Sequence, residues 1–356
     1  MLKLLFVTKY IDHILHFFLE RLATELELTI VVDQQNQWTT QLEADGIELH
    51  HLAPRSKFDR RYRQTIDKLG SRHDWDLIQC FHGNAELATI IRWNRGRLPL
   101  VAYRARIGHL KFRENPTAYW NARNPSLAAV AAVSEAVRTY LESFRFFRAR
   151  NVRVMHHGIN RDWVASQLTV PFGLRNMLGI GDDALIVASL AALRPVKRFE
   201  LILDAAERLR DRPVHFVHIG SPRGWDEKAR HLPKVHFLGQ RNEPLPILAD
   251  ADVFAMTSHN EAFGRANLEA MACGKPVIGS NTGGLLDLVD DGVTGRLFET
   301  DATGAFAAAV ADYCDNRETV GQHGAAALER VARLFSTETM ASNYLRLYRD
   351  VLNARR

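Results

Sequence analysis

Short apolar runs alternate with helically spaced segments from one end of the chain to the other, and this alternation constrains the fold most. "LKLLFVT" reads as a strand buried on both faces, "DHILHFFLERLATEL" has helical spacing, and "LTIVVD" is a strand again. "DLIQCFH", "PLVAYRA" and "AAVAAVS" continue the series, and "SEAVRTYLESF" reads as a helix opening on Ser134. Strands separated by helices make parallel βαβ units. A second series follows "LTVPFGLRNMLGIGDD": strands at "ALIVASLAAL", "VHFVHIG", "VHFLG", "VFAMTS" and "PVIGS", with helices at "FELILDAAERLRD", "LPILADAD" and "GRANLEAMAC". Two doubly wound, Rossmann-like α/β domains facing a central cleft are expected, 1–165 and 166–336, with the linker near 163–175. Ligands of open α/β sheets sit at the carboxyl ends of strands, so the residues just after each strand are the candidates.

Composition narrows the class. Of 356 residues, 46% are hydrophobic and 24% charged, ordinary for a soluble globular protein. No apolar run is long enough to span a bilayer. "MLKLLFVTKY" turns polar too soon for a secretory signal and reads as a first strand. Cys80, Cys273 and Cys314 lie far apart, which argues against a disulfide framework or zinc site and for a reducing cytoplasm. The first 170 residues hold 24 Lys and Arg against 17 Asp and Glu; the remainder hold 22 against 24. The excess gathers in "PRSKFDRRYRQ" (Arg55, Lys57, Arg60, Arg61, Arg63), "IRWNRGRLP" and "FRFFRARNVR". Such a face is either a solvated surface or a contact for something anionic: a membrane surface, an acidic lipid head group or a phosphorylated glycan. No nucleic-acid module is present in the sequence, so nucleic acid is not an expected partner.

The richest stretch is "HNEAFGRANLEAMACGKPVIGSNTGG", 259–284. The helix within it should begin near Gly264 or Arg265 and end at Cys273-Gly274, before Pro276. Glu261 then lies in the loop and Glu269 in the helix, so both carboxylates can reach one space from different heights. Amides around Phe263, Gly264 and Arg265 favour an anion or sugar hydroxyls there. Gly283 and Gly284 allow close backbone approach, and the helix from about Leu285 aims its positive end at the same place. Upstream, "SLAALRPVKRFELIL" puts Arg194, Lys197 and Arg198 between a strand and a helix, where cations neutralise phosphate oxygens. Each signal alone is weak: a Gly-Gly is usually a turn, and a basic loop is usually surface. Three of them at strand ends of one domain suit a diphosphate carrying a polyhydroxyl group.

Glu261 and Glu269, eight positions apart and followed by "EAMACGKPVIGSNTGGLLDLVDDGVTGRLF", closely resemble the signature of retaining glycosyltransferases of the GT-B fold, family 4. The resemblance covers most of the second half; "AVAAVSEAVRTYL" and "VMHHGIN" resemble the end of the family's first domain. It implies that Glu261 binds hydroxyls of the donor sugar, with the amides of Phe263 and Gly264. Glu269 would hold the ribose hydroxyls, Lys197 the diphosphate, and Asn281, Thr282 and Gly283 would meet phosphate or sugar. It also implies that the terminal helix, about 337–356, packs back on the first domain. Where the family carries an arginine five positions before the lysine, this chain has Ala192, with Arg194 two positions on. The family's glycine pair after the first strand is replaced by "TKYIDHI", with Lys9 and Tyr10 on the acceptor side. The strand that often ends in a cleft histidine ends in "AYRARIGH", offering Tyr103, Arg104, Arg106 and His109; Arg104 stands closest to the histidine slot. His82 in "CFHGN" ends another strand and is a second candidate, although a histidine there is more often structural.

The expected activity is transfer of a hexose-type sugar from a nucleoside diphosphate sugar, with UDP as the leading nucleotide, to a glycan or glycolipid hydroxyl with retention of configuration. Bacterial lipopolysaccharide or cell-surface polysaccharide synthesis is the leading setting, in the cytoplasm with possible attachment to the inner membrane. No cofactor and no metal are expected, since no Asp-x-Asp resembles a metal holder and cations can serve the diphosphate. Two rivals use the same residues: a nucleotide-sugar epimerase (or a phosphorylase), and a non-catalytic sugar-nucleotide binder.

Overall fold

The apolar runs pair with one another, and in the computed structural model they form two parallel sheets. The structure describes every residue except 57, 58, 72, 83, 149, 150, 301, 303 and 356, and omits the side chains of 84 and 85. Lys57 of the basic stretch thus lies outside the described residues. The chain divides into two compact units, Met1–Gly158 with Thr337–Arg356, and Ile159–Ser336.

The first unit contains β1 (Lys3–Thr8), β2 (Glu27–Val32), β3 (Glu48–His51), β4 (Leu77–Cys80), β5 (Leu100–Arg104), β6 (Leu127–Ala132) and β7 (Asn151–Val154), in the order β3-β2-β1-β4-β5-β6-β7. The second contains β8 (Leu185–Leu190), β9 (Val214–Ile219), β10 (Val235–Phe237), β11 (Val253–Met256), β12 (Val277–Ser280) and β13 (Gly295–Phe298), ordered β10-β9-β8-β11-β12-β13. Every described strand pairing is parallel, from Leu4 opposite Leu28 to Val277 opposite Gly295. The direction of winding reverses between β1 and β4 in one unit and between β8 and β11 in the other. Loops leaving adjacent strands in opposite directions open a crevice at their carboxyl ends.

Helices start where short polar side chains can satisfy the first amides. Asp12 accepts from the Leu15 amide at the head of helix His13–Ala23, and Ser134 accepts from Val137 before Glu135–Glu142. The helix Thr337–Asn353 places Met340, Ala341, Tyr344, Leu347, Tyr348 and Val351 on one buried face. They join the first unit's core, where the Tyr344 ring lies 5.0 Å from Phe18. Two polar contacts fix that helix: Gly158 N–H donates to Met340 Sδ at 3.2 Å, and Tyr348 Oη donates to Gln79 Oε1 at 3.3 Å. Among the described residues no helix is long and apolar enough to cross a membrane.

The structure adds to and trims the sequence pattern. β3 is a half-exposed edge strand, "ELHH", with no apolar run to announce it. β8 stops at Leu190, short of the ten-residue apolar run.

Candidate functional site

The loops after β8, β11 and β12 are built as one piece. After Leu190 the chain turns through Leu193, which is buried, and Arg194, which is exposed. Pro195–Lys197 forms a single 3₁₀ turn, closed by Lys197 N–H to Arg194 O at 2.8 Å. The β11 loop then binds this turn: Thr257 Oγ1 donates to Lys197 O at 2.8 Å, and His259 N–H to Val196 O at 2.9 Å. Glu261, further along that loop, accepts a hydrogen bond from Lys197 Nζ at 2.7 Å; the two side chains are 19% and 15% exposed.

The β12 loop closes on the same residues. Gly284 N–H donates to Glu261 O at 2.8 Å. Gly283 has φ +64°, and a Cβ there would lie 2.1 Å from Glu261 O. Only glycine combines that backbone with that approach. Thr282 is half-buried beside it, and exposed Asn281 uses Nδ2 to reach Glu299 Oε1.

Helix Arg265–Ala272 starts from Gly264 at φ 83°, with no side chain capping it. The helix starts beside Glu261, since a Cβ at Gly264 would lie 3.2 Å from Glu261 Cγ. Phe263 is 2% exposed, with its ring 6.1 Å from Phe335, so only its backbone can meet a ligand. Glu269 is half-buried on the helix, and Arg265 is exposed at its start.

The structure thus brings Lys197, Glu261, Phe263, Gly264 and Gly283 together around one end of the second sheet, at its switch point. Arg198 departs from the cation set: its φ is +47°, and it reaches Thr300 O at 3.1 Å and Glu200 at 3.4 Å instead. Behind the β8 loop, His218 shares a hydrogen bond with Ser189 Oγ at 2.9 Å; burial pushes its pKa down to about 4, so the ring stays neutral.

In the first unit the equivalent strand ends carry aromatic and imidazole groups. His82, just after β4, stacks on Tyr10 with ring centroids 4.5 Å apart and lies edge-on to Tyr103 at 5.7 Å. Its Nδ1 is 3.2 Å from Thr8 Oγ1, and that hydroxyl donates to Tyr10 O at 3.0 Å. A hydroxyl has one proton, and with that proton on Tyr10 O it accepts the hydrogen bond from His82 Nδ1. Tyr103 Oη meets His157 Nε2 at 2.8 Å. Thr8 and His157 were not singled out from the sequence; the only signal was their place at strand ends.

Arg104 is turned back on its own loop. Its Nε donates to Arg106 O at 3.0 Å, an Nη donates to Gly108 O, and burial lowers its pKa. Lys9, Arg106 and His109 are exposed, His109 with φ +54°. Tyr10, His82 and Tyr103 therefore form one cluster, and the other acceptor-side residues are arrayed on loops around it.

Residues 174–330 match the family model described as glycosyl transferases group 1. A D-inositol 3-phosphate glycosyltransferase of Kribbella flavida is 36% identical over 198 residues, 49% of this chain and 46% of that protein. An N-acetyl-alpha-D-glucosaminyl L-malate synthase of Bacillus anthracis is 29% identical over 186 residues, 50% of this chain and 49% of that protein. The chain spans about half the length of the curated relatives it matches. Among solved structures, Anabaena Alr3699/HepE in complex with UDP aligns with a TM-score of 0.78 at 21% identity, covering 98% of this chain and 100% of that one. A glycosyltransferase from Rickettsia africae ESF-5 aligns with a TM-score of 0.81 at 16% identity, covering 99% and 98%. At these identities the likeness shows the fold: two Rossmann-like units of the GT-B type.

Proposed function

We propose that the chain is a retaining glycosyltransferase that moves a hexose-type sugar from a UDP-sugar to a hydroxyl of a glycan or lipid-linked acceptor. The observation that carries this reading is the 2.7 Å Lys197–Glu261 pair against the Gly283 turn, inside the segment that matches glycosyl transferases group 1. The second unit takes the donor and the first takes the acceptor. UDP is the nucleotide of choice because solved neighbours hold UDP and UDP-glucose.

In this reading Lys197 and Arg194 meet the diphosphate, and Glu261 with the Phe263 and Gly264 amides meets the sugar. Glu269 and the 281–283 backbone secure the rest of the donor. As the bond from the anomeric carbon to the diphosphate oxygen breaks, charge grows on that oxygen, where cations and helix amides stabilise it most. The acceptor hydroxyl attacks from the same face, and its proton passes to the departing phosphate oxygen. No enzyme nucleophile and no metal is required by this scheme. His82, Arg104 and Tyr103 lie on the acceptor side.

A lipid-linked acceptor, as in lipopolysaccharide or surface polysaccharide synthesis, suits the basic first unit. Phe112 and Trp120 are 50% and 60% exposed, with the Arg123 guanidinium 6.0 Å from the Trp120 ring centre. Aromatic rings beside cations favour an anionic membrane surface.

The test is calorimetric titration with UDP, GDP, ADP and their sugar conjugates, followed by NMR of the donor and product anomers. Binding of a UDP-sugar, transfer with retained configuration and a loss of turnover of orders of magnitude in Lys197→Ala and Glu261→Ala are expected. A donor epimerised without any acceptor replaces the reading with an epimerase. Binding without turnover across a broad acceptor panel leaves a sugar-nucleotide binder.

A further inference from the structure

A small cavity lies in the first unit, against β5 and β6. It is bounded by Tyr103 and Arg104 of β5, by Val130 of β6 and by Leu110, Asn121 and Leu141 from the loop and helices that cover them. Its volume is about 60 Å³. One water needs about 10–15 Å³ and benzene occupies a cavity of about 150 Å³, so this space holds a group of a few heavy atoms. A sugar ring does not fit inside it.

The walls are mostly apolar, and two polar side chains, Asn121 and Arg104, interrupt them. Asn121 is 9% exposed, and its Nδ2 has no hydrogen-bond partner among the described residues. A buried donor left unpaired is destabilising, and a ligand oxygen that pairs with it recovers that cost. The Asn121 amide calls for a carbonyl oxygen, and Leu110, Val130 and Leu141 call for a methyl group. Arg104 lines the same space, but its Nε and one Nη are committed to the carbonyls of Arg106 and Gly108. A small group with a carbonyl at one end and a methyl at the other meets both the Asn121 amide and the apolar walls.

We propose that this cavity is a subsite for an acetamido group, so that the acceptor recognised by the first unit is an N-acetylated sugar. The identity of the acceptor rests on the reading of the first unit given above; occupation of the cavity does not. Both places lie at the carboxyl end of β5: Ala102 and Arg104 face the cavity, and Tyr103 between them turns its ring to the other face of the sheet, edge-on to His82. An acceptor seated by its acetamido group would present its ring at the strand-end cluster.

The probes are methyl N-acetyl-α-D-glucosaminide and methyl α-D-glucoside, added without donor to the full chain carrying ¹³C-labelled Leu and Val methyls. The expected result is about tenfold tighter binding of the acetylated probe, with NOEs from its acetyl methyl to Leu110, Val130 and Leu141. Asn121→Leu, close in size, should erase most of that preference and leave UDP affinity unchanged. Equal affinity for the two glycosides, no binding of the acetylated probe, NOEs to methyls elsewhere, or a preference that survives Asn121→Leu each overturn the proposal. Acetate displacing the acetylated probe better than acetamide does would also overturn it, by showing a carboxylate site. If the variant fails to fold, the wild-type NOEs still decide. Absence of UDP binding would sink the donor reading and leave this measurement standing.

Discussion

Replacing Glu261 by Gln should tighten the binding of UDP, although Glu261 belongs to the donor site. In the present structure Lys197 Nζ sits 2.7 Å from Glu261 Oε2. At that separation the gross attraction is about 6 kcal/mol with an effective dielectric of about 20. Both side chains are largely withdrawn from water, 15% and 19% exposed, and their desolvation offsets most of that. A coupling of about 1–3 kcal/mol remains for neighbours of this kind. UDP must take Lys197 away from Glu261 and bring its diphosphate up to a carboxylate. Glu261→Gln removes both costs, so affinity for UDP should rise about 5- to 150-fold. The check is calorimetry on four proteins: wild type, Glu261→Gln, Lys197→Met and the double variant. In the Lys197→Met background the gain should shrink, because only repulsion is relieved. Weaker UDP binding by Glu261→Gln, or the same change in both backgrounds, would refute the idea that the ammonium is held in reserve for the diphosphate.

Other outcomes follow from the same geometry. Gly283→Ala forces a Cβ to within 2.1 Å of Glu261 O at a left-handed backbone, so a loss of about 2 kcal/mol or more and weaker donor binding are expected in urea and calorimetric titrations. Tyr344→Ala empties a fully buried site and should cost the first unit about 3–5 kcal/mol, read as faster hydrogen exchange in β1 and β4 with β11 and β12 unchanged. His215 and His218 are both held near pKa 4, chiefly by burial, against an ordinary value of 6.5. The unfolded chain takes up protons below about pH 6.5 while the folded one resists until about 4, so stability falls as pH drops through that window. For His218 the loss by pH 5 is about 2 kcal/mol, and a combined His215→Gln, His218→Gln variant should show a flatter melting-temperature profile between pH 7 and 5.

The fold class was legible because central strands of parallel sheets are buried on both faces. "LKLLFVT", "LTIVVD" and "VFAMTS" have no reason to be continuously apolar otherwise. Edge strands lose that signal: β3 reads "ELHH" and β13 reads "GRLF". Gly295 in β13 marks tight approach rather than a turn, since a Cβ there would fall 2.1 Å from Val277 O. At the site, positions after strands were readable from the element order, but side-chain directions were not. Lys197 and Arg198 are adjacent in sequence, yet one faces Glu261 and the other Thr300, because Arg198 adopts a left-handed backbone. Arg104 could not be known to bind its own loop, since that depends on the turn at Gly108 and His109.

The helix Thr337–Asn353 has a consequence for biosynthesis. The first unit's core is completed by residues that are made only after all of Ile159–Ser336. At about 5–20 residues per second, the nascent amino-terminal segment waits roughly 10–40 s with the surface around Phe18 uncovered. During that interval it is a client for any holdase that recognises apolar surface, and shortening the chain by its final twenty residues should make the waiting state permanent.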